Sequence, residues 1–177
     1  MAGREVSLEV AFEEVQRLLR RTRKSDGALW WVGNGGSAAI CSHLSQDVVA
    51  KLHLRSFAFT DAALLTCMAN DFGYSEVYAQ PLREMARPGD MMIAISSSGN
   101  SPNILNSAAL ARDRRLQLVT LSGFSKENKL WQVPADVAFY LPSSLYGVVE
   151  VAHMTLLHGL IETMVLGEAP KIEPPGS

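Results

Sequence analysis

Two stretches of this chain follow the same order of residues. The apolar run Ala28-Leu29-Trp30-Trp31-Val32 stops at Gly33-Asn34-Gly35-Gly36-Ser37 and passes into a helix-compatible stretch over about 38–51. The run Met91-Met92-Ile93-Ala94-Ile95 stops at Ser96-Ser97-Ser98-Gly99-Asn100-Ser101, and Pro102 then opens a helical stretch to about residue 112. Five apolar residues without polar alternation suit a strand covered on both faces, and such strands are parallel and joined by helices. Proline suits a first helical turn, where its missing N–H would find no partner anyway. Further strands are expected over 56–60, 116–121 and 136–141, with a helix near 76–85. The expected class is α/β, a parallel sheet covered on both faces.

Residues 5–23 place Val6, Val10, Val15, Leu18 and Leu19 among charged residues at helical spacing, which predicts an amphipathic helix ahead of the sheet. Residues 146–166 are apolar nearly all round, and a small domain seldom buries such a helix on every side, so a subunit interface is expected there. The organisation read from this is an N-terminal helical segment 1–25, a domain 26–167 and a loose, proline-bearing tail 168–177. With 177 residues there is room for one domain, and 47% hydrophobic residues exclude general disorder. Sixteen basic against eighteen acidic residues argue against a nucleic-acid or anionic-membrane surface. Two cysteines point to a reducing compartment, and charges break every short apolar run at the N-terminus, so a cytoplasmic protein without leader or span is expected.

In such sheets, ligands sit at the carboxyl ends of strands, where helix N-termini present free N–H groups. The loop Ser96 to Ser101 offers four hydroxyls and no Lys or Arg, a neutral cradle suited to one phosphate monoester. The lysine of a nucleoside-triphosphate loop is absent from it, which disfavours nucleotide hydrolysis. Gly33 to Ala38 also fits the loose dinucleotide pattern G-x-G-x-x-G/A, with Asp61 as a mimic of the ribose acid, but that rival leaves the serine loop without a purpose.

His43 and Asp47 stand i, i+4 on the helix after the glycine loop and share one face. Glu150, His153 and His158 interrupt the apolar C-terminal helix, where a buried carboxylate or imidazole needs a partner or a metal. Two imidazoles and two carboxylates form a zinc-type donor set. Glu150 and His158 are about 12 Å apart along the helix, so joint ligation needs stretched side chains or a second subunit, and His153 remains a competitor.

Taken together, GNGGSAAICSH, the NDFGY of residues 70–74, GDMMIAISSSGNSPNI and the helix carrying Glu150 and His158 resemble the sugar isomerase (SIS) family, over roughly residues 28–165. The resemblance implies a three-layer αβα sandwich around a five-stranded parallel, flavodoxin-like sheet, assembled as a homotetramer with active sites at subunit interfaces. It implies an aldose–ketose isomerase that converts sedoheptulose 7-phosphate to D-glycero-D-manno-heptose 7-phosphate for bacterial heptose nucleotides. Substrate contacts then fall on Asn34, Gly35, Gly36, Ser37, Asp47, Asn70, Asp71 and Glu150, and the phosphate on Ser96, Ser97, Ser98 and Ser101. One zinc per subunit falls on His43, Asp47, Glu150 and His158. This chain departs from well-known members in carrying Asp47 for Glu, Glu150 for Gln, and Gly147 where an acid is common.

Such a reaction moves a proton between adjacent carbons, so a base and an acid must flank one bond. The expected pair is Asp47 as base at carbon and His158 as acid at oxygen, with zinc orienting them or polarising the carbonyl. Two alternatives stand beside it. One is a noncatalytic SIS module that binds phosphosugar or scaffolds a replication initiator. The other is the same chemistry on another sugar, with Tyr74, Tyr146 and Lys51 as candidate sensors of chain length.

Overall fold

The computed structural model describes residues 5–168. Ser7 caps the first helix, α1 (Leu8–Lys24), by accepting a bond from the Val10 N–H, so the helix starts three residues later than its apolar spacing predicts. The chain then runs through β1 (Ala28–Gly33), α2 (Gly36–Leu52), β2 (Arg55–Ala58), α3 (Ala62–Phe72), a 3₁₀ turn (Tyr74–Glu76) and α4 (Ala79–Met85). It continues with β3 (Met91–Ser96), α5 (Pro102–Asp113), β4 (Gln117–Gly123), α6 (Lys129–Gln132), β5 (Val137–Leu141) and α7 (Tyr146–Glu168). The helix expected over 76–85 is thus a 3₁₀ turn followed by the shorter α4, while α3 and α6 are additional. The tail expected over 168–177 lies outside the described residues, apart from Glu168 at the end of α7.

All five strands are parallel, in the order β2-β1-β3-β4-β5. Every residue of β1 and β3 is buried, as their unbroken apolar runs predict. Side chains alternate between two cores. Leu29, Trp31, Met91, Ile93 and Ile95 meet α1, α2 and α7 on one face, and Trp30, Val32, Met92 and Ala94 meet α4, α5 and α6 on the other. The result is the expected three-layer αβα sandwich.

Between β1 and β3 the winding direction reverses, because β1 leads to β2 on one side while β3 leads to β4 on the other. The two helices that leave these strands, α2 and α5, lie on opposite faces, and their loops spread apart into a crevice. Both loops singled out in the sequence stand at this reversal.

On the α2 face, α7 runs parallel to α2. The Glu150 carboxylate lies over Gly36, His158 lies beside His43 and Asp47, and Glu162 meets Lys51. By length and composition alone α7 could cross a membrane, but Val149, His153, Leu157, Leu160, Ile161 and Met164 are buried in the protein. Its other flank is open, with Val148 50% and Val151 67% exposed. Across the sheet, α3 rests Leu64, Leu65, Met68 and Ala69 half-buried on the core and has no fully buried residue.

Candidate active site

The serine loop is built by its own backbone. Gly99 adopts φ +65°, and its N–H donates to the Ser96 carbonyl (2.9 Å) and to Ser96 Oγ (3.1 Å), which folds the loop back on the end of β3. A side chain at Gly99 would strike Asn128. Asn128, 1% exposed, braces the loop from below: its Nδ2 donates to Ser122 Oγ, Gly123 O and Ser125 O, and its Oδ1 accepts from the Trp131 N–H. Ser96 Oγ donates to Ser101 Oγ (3.2 Å), and Ser98 Oγ accepts from the Asn100 N–H (3.3 Å). Ser101 occupies the N-cap of α5 without capping it by its side chain. Ser97 Oγ is buried and has no partner among the described residues, an arrangement that costs free energy unless a ligand supplies one.

The glycine loop lies across the crevice. Gly35 has φ +54°, and a β-carbon at Gly36 would overlap the Glu150 carboxylate, so this glycine makes room for that group at the head of α2. Ser37 is buried in the first turn. The Asn34 side chain points at α5 and exchanges two hydrogen bonds with Asn103, at 2.9 and 2.8 Å. Asn70 and Asp71 are exposed at the end of α3 and bond each other, Nδ2 to Oδ1, at 2.8 Å.

Two to three turns along α2, His43, Asp47 and His158 converge, with one ligand atom from each lying within 4.8 Å of the others. His158 Nδ1 is 3.7 Å from Asp47 Oδ2, and the two imidazole rings are 5.1 Å apart. Asp47 is 6% exposed. Burial pushes its carboxyl up, but the hydrogen bond and charge of Lys51 (3.1 Å), with His43 and His158 nearby, outweigh this and hold it below the ordinary carboxylate value. Lys51 is itself tied to Glu162 at 2.5 Å, and Gln46 Nε2 donates to Asp47 Oδ1. The site therefore presents an ionised carboxylate beside an imidazole, a base paired with an acid. Two nitrogens and a carboxylate oxygen also suit a divalent transition metal.

The four expected ligands divide. Glu150 is not in the cluster, because eight residues of helix place it a further 12 Å or so along α7, above Gly36. His153 is excluded by its setting: it is fully buried, and Nε2 faces the Ser122 carbonyl at 3.2 Å on the sheet side of α7. Of the residues considered for sensing sugar length, Lys51 is occupied by Asp47 and Glu162, Tyr74 bonds Asn34 at 3.1 Å, and Tyr146 stacks edge-on against Phe124. The sequence reading missed Asn128 and Asn103, although Asn128 stands in a helix-capping position.

Residues 4–123 match the family model described as "SIS domain". The chain is 32% identical over 171 residues to a phosphoheptose isomerase of Thiobacillus denitrificans, covering 91% of this chain and 87% of that one. It is 33% identical over 162 residues to the phosphoheptose isomerase of Bordetella avium, covering 85% and 82%. The chain belongs to the SIS domain family, among its phosphoheptose isomerases. This SIS domain also superposes on the structure of a phosphoheptose isomerase from Neisseria gonorrhoeae with a TM-score of 0.82 at 28% identity, covering 89% of this chain and 87% of that chain. The dinucleotide reading is set aside with that assignment.

Proposed function

We propose that this protein isomerises sedoheptulose 7-phosphate to D-glycero-D-manno-heptose 7-phosphate, in the cytoplasm, as a step of bacterial heptose synthesis. The observation that carries the reading is the ionised Asp47 carboxylate 3.7 Å from His158 in a chain whose serine loop holds a buried hydroxyl with no partner among the described residues. Ser96, Ser97, Ser98 and Ser101 bind the phosphate as neutral donors. Asn34, Gly35, Gly36, Ser37, Asn70, Asp71 and Glu150 line the sugar's path. Asp47 takes the proton from one carbon and returns it to its neighbour, while His158 protonates the carbonyl oxygen to give the enediol and then takes the proton from the neighbouring hydroxyl as that oxygen becomes the new carbonyl. Lys51 and Gln46 hold the Asp47 oxygens in place for that transfer.

His43, Asp47 and His158 fit zinc in donor type and spacing, and Glu150 is a candidate to contribute from another position or another subunit. When bound, the ion would supply Lewis-acid polarisation of the carbonyl oxygen. The proposed assembly is a homotetramer, and the open apolar flank of α7 and the half-exposed α3 support association between copies. Asp47 is eleven residues beyond Gly36, about 16 Å along α2, so the serine loop and the acid–base cluster of one subunit lie at different levels and sites shared between copies are favoured. The segment 1–25 is proposed as the part that docks on the domain or a neighbour, 26–167 as the SIS domain, and 168–177 as a tail.

The test is mass-balanced turnover of sedoheptulose 7-phosphate beside shorter ketose phosphates, with and without chelator. Turnover of the heptose phosphate supports the proposal; its absence in metal-loaded protein that binds a replication initiator establishes the scaffold instead.

A further inference from the structure

We propose that Asn103 is a positioning residue of the isomerase, which holds the serine loop and the glycine loop at a fixed separation through Asn34. This rests on the isomerase reading above and deepens it. Asn103 occupies the first turn of α5, directly after the serine loop, and is 1% exposed. Its Oδ1 accepts from Asn34 Nδ2 (2.9 Å) and from the Ile104 N–H (3.0 Å), and its Nδ2 donates to Asn34 Oδ1 (2.8 Å). Asn34 immediately follows β1 and Asn103 follows β3 by seven residues, so this reciprocal amide pair spans the crevice where the sheet reverses its winding.

Two tyrosines complete the brace on the Asn34 side. Tyr78, 4% exposed, donates its hydroxyl to the Gly33 carbonyl at 2.6 Å and lies 3.3 Å from Asn34 Oδ1. Tyr74 Oη donates to the same oxygen at 3.1 Å. The Asn34 carbonyl is thereby filled by Asn103 and Tyr74, and the amide cannot turn without breaking bonds to both. Leucine at 103 would leave Asn34 Nδ2 and the Ile104 N–H without this acceptor and so costs some stability, which is why the variants are compared at equal concentrations of folded protein. The geometry of the amide pair fixes how far an anchored phosphate sits from the loop over which the sugar extends. Misplacing a reacting group by about 1 Å can cost about 100-fold in rate.

Asn103→Leu and Tyr78→Phe are compared with the unaltered protein, using inorganic phosphate as competitive inhibitor and heptose 7-phosphate as substrate. The expected result for Asn103→Leu is phosphate inhibition within about twofold of normal, a KM changed less than kcat, and kcat lower by at least tenfold. Tyr78→Phe keeps the ring in the core and gives a smaller loss of the same kind. If phosphate affinity and kcat fall together in proportion to a loss of folded protein, or if kcat is unchanged in both variants, the proposal is overturned. Absence of turnover in the unaltered protein removes the isomerase reading itself, and this one with it, whatever the variants do.

Discussion

Asp47 Oδ2 faces His158 Nδ1 at 3.7 Å across the seam between α2 and α7, while Lys51 approaches the same oxygen from the following turn at 3.1 Å. The carboxylate is therefore ionised in a nearly dry setting, as a proton acceptor for a carbon acid must be. Asp47→Asn is expected to lower kcat by about 100- to 10,000-fold while leaving phosphosugar binding in place, measured by turnover and calorimetry. Unchanged turnover removes Asp47 from the role of base.

Lys51 also sets the pH range in which that base works. Its hydrogen bond and charge lower the Asp47 carboxyl, so Lys51→Met moves the acid limb of the kcat/KM profile to higher pH. A profile superimposable on that of the unaltered protein contradicts this electrostatic assignment.

His153 predicts a pH dependence of stability rather than of rate. Burial pushes its imidazole below the ordinary histidine value, against the weaker opposing pull of the Ser122 carbonyl. The unfolded chain accepts a proton that the folded one refuses, so this contribution is intact above about pH 6.5 and is lost as the pH falls below it. Urea midpoints at pH 7.5 and 5.5 should differ more for the unaltered protein than for His153→Leu.

Asp90 closes the end of the sheet opposite the ligand loops. Its buried carboxylate accepts from the Ala28 N–H (2.7 Å), Trp30 Nε1 (2.8 Å) and the Arg87 N–H (2.9 Å). Asp90→Ala strands two buried donors and one half-buried one and is expected to cost about 3 kcal/mol, read from denaturant unfolding.

Much of this architecture was legible in the residues. The runs at 28–32 and 91–95 announced central strands because a strand buried on both faces carries no polar alternation, and Pro102 marked the start of α5. Helix α3 was missed, although Leu64, Leu65, Met68 and Ala69 form a helical stripe half-buried against the core and Asp61 caps its start. The His43, Asp47 and His158 cluster followed from one helical spacing and one resemblance. Whether His153 or His158 joined it was not decidable from the sequence, because α7 is apolar on every side and its rotation about its axis leaves no mark there. Asn103 and Asn128 act through partners 69 and several residues away, a relation that only the folded chain displays.

The rungs between α2 and α7 pair residue 36 with 150, 43 and 47 with 158, and 51 with 162. All of them depend on one longitudinal alignment, which is held by greasy contacts at Leu157, Leu160 and Ile161 that have no chemistry of their own. A slip of one helical turn, about 5.4 Å, would keep oil against oil and yet unmake every rung at once. Repacking mutations along that seam should then silence the enzyme well before they melt it.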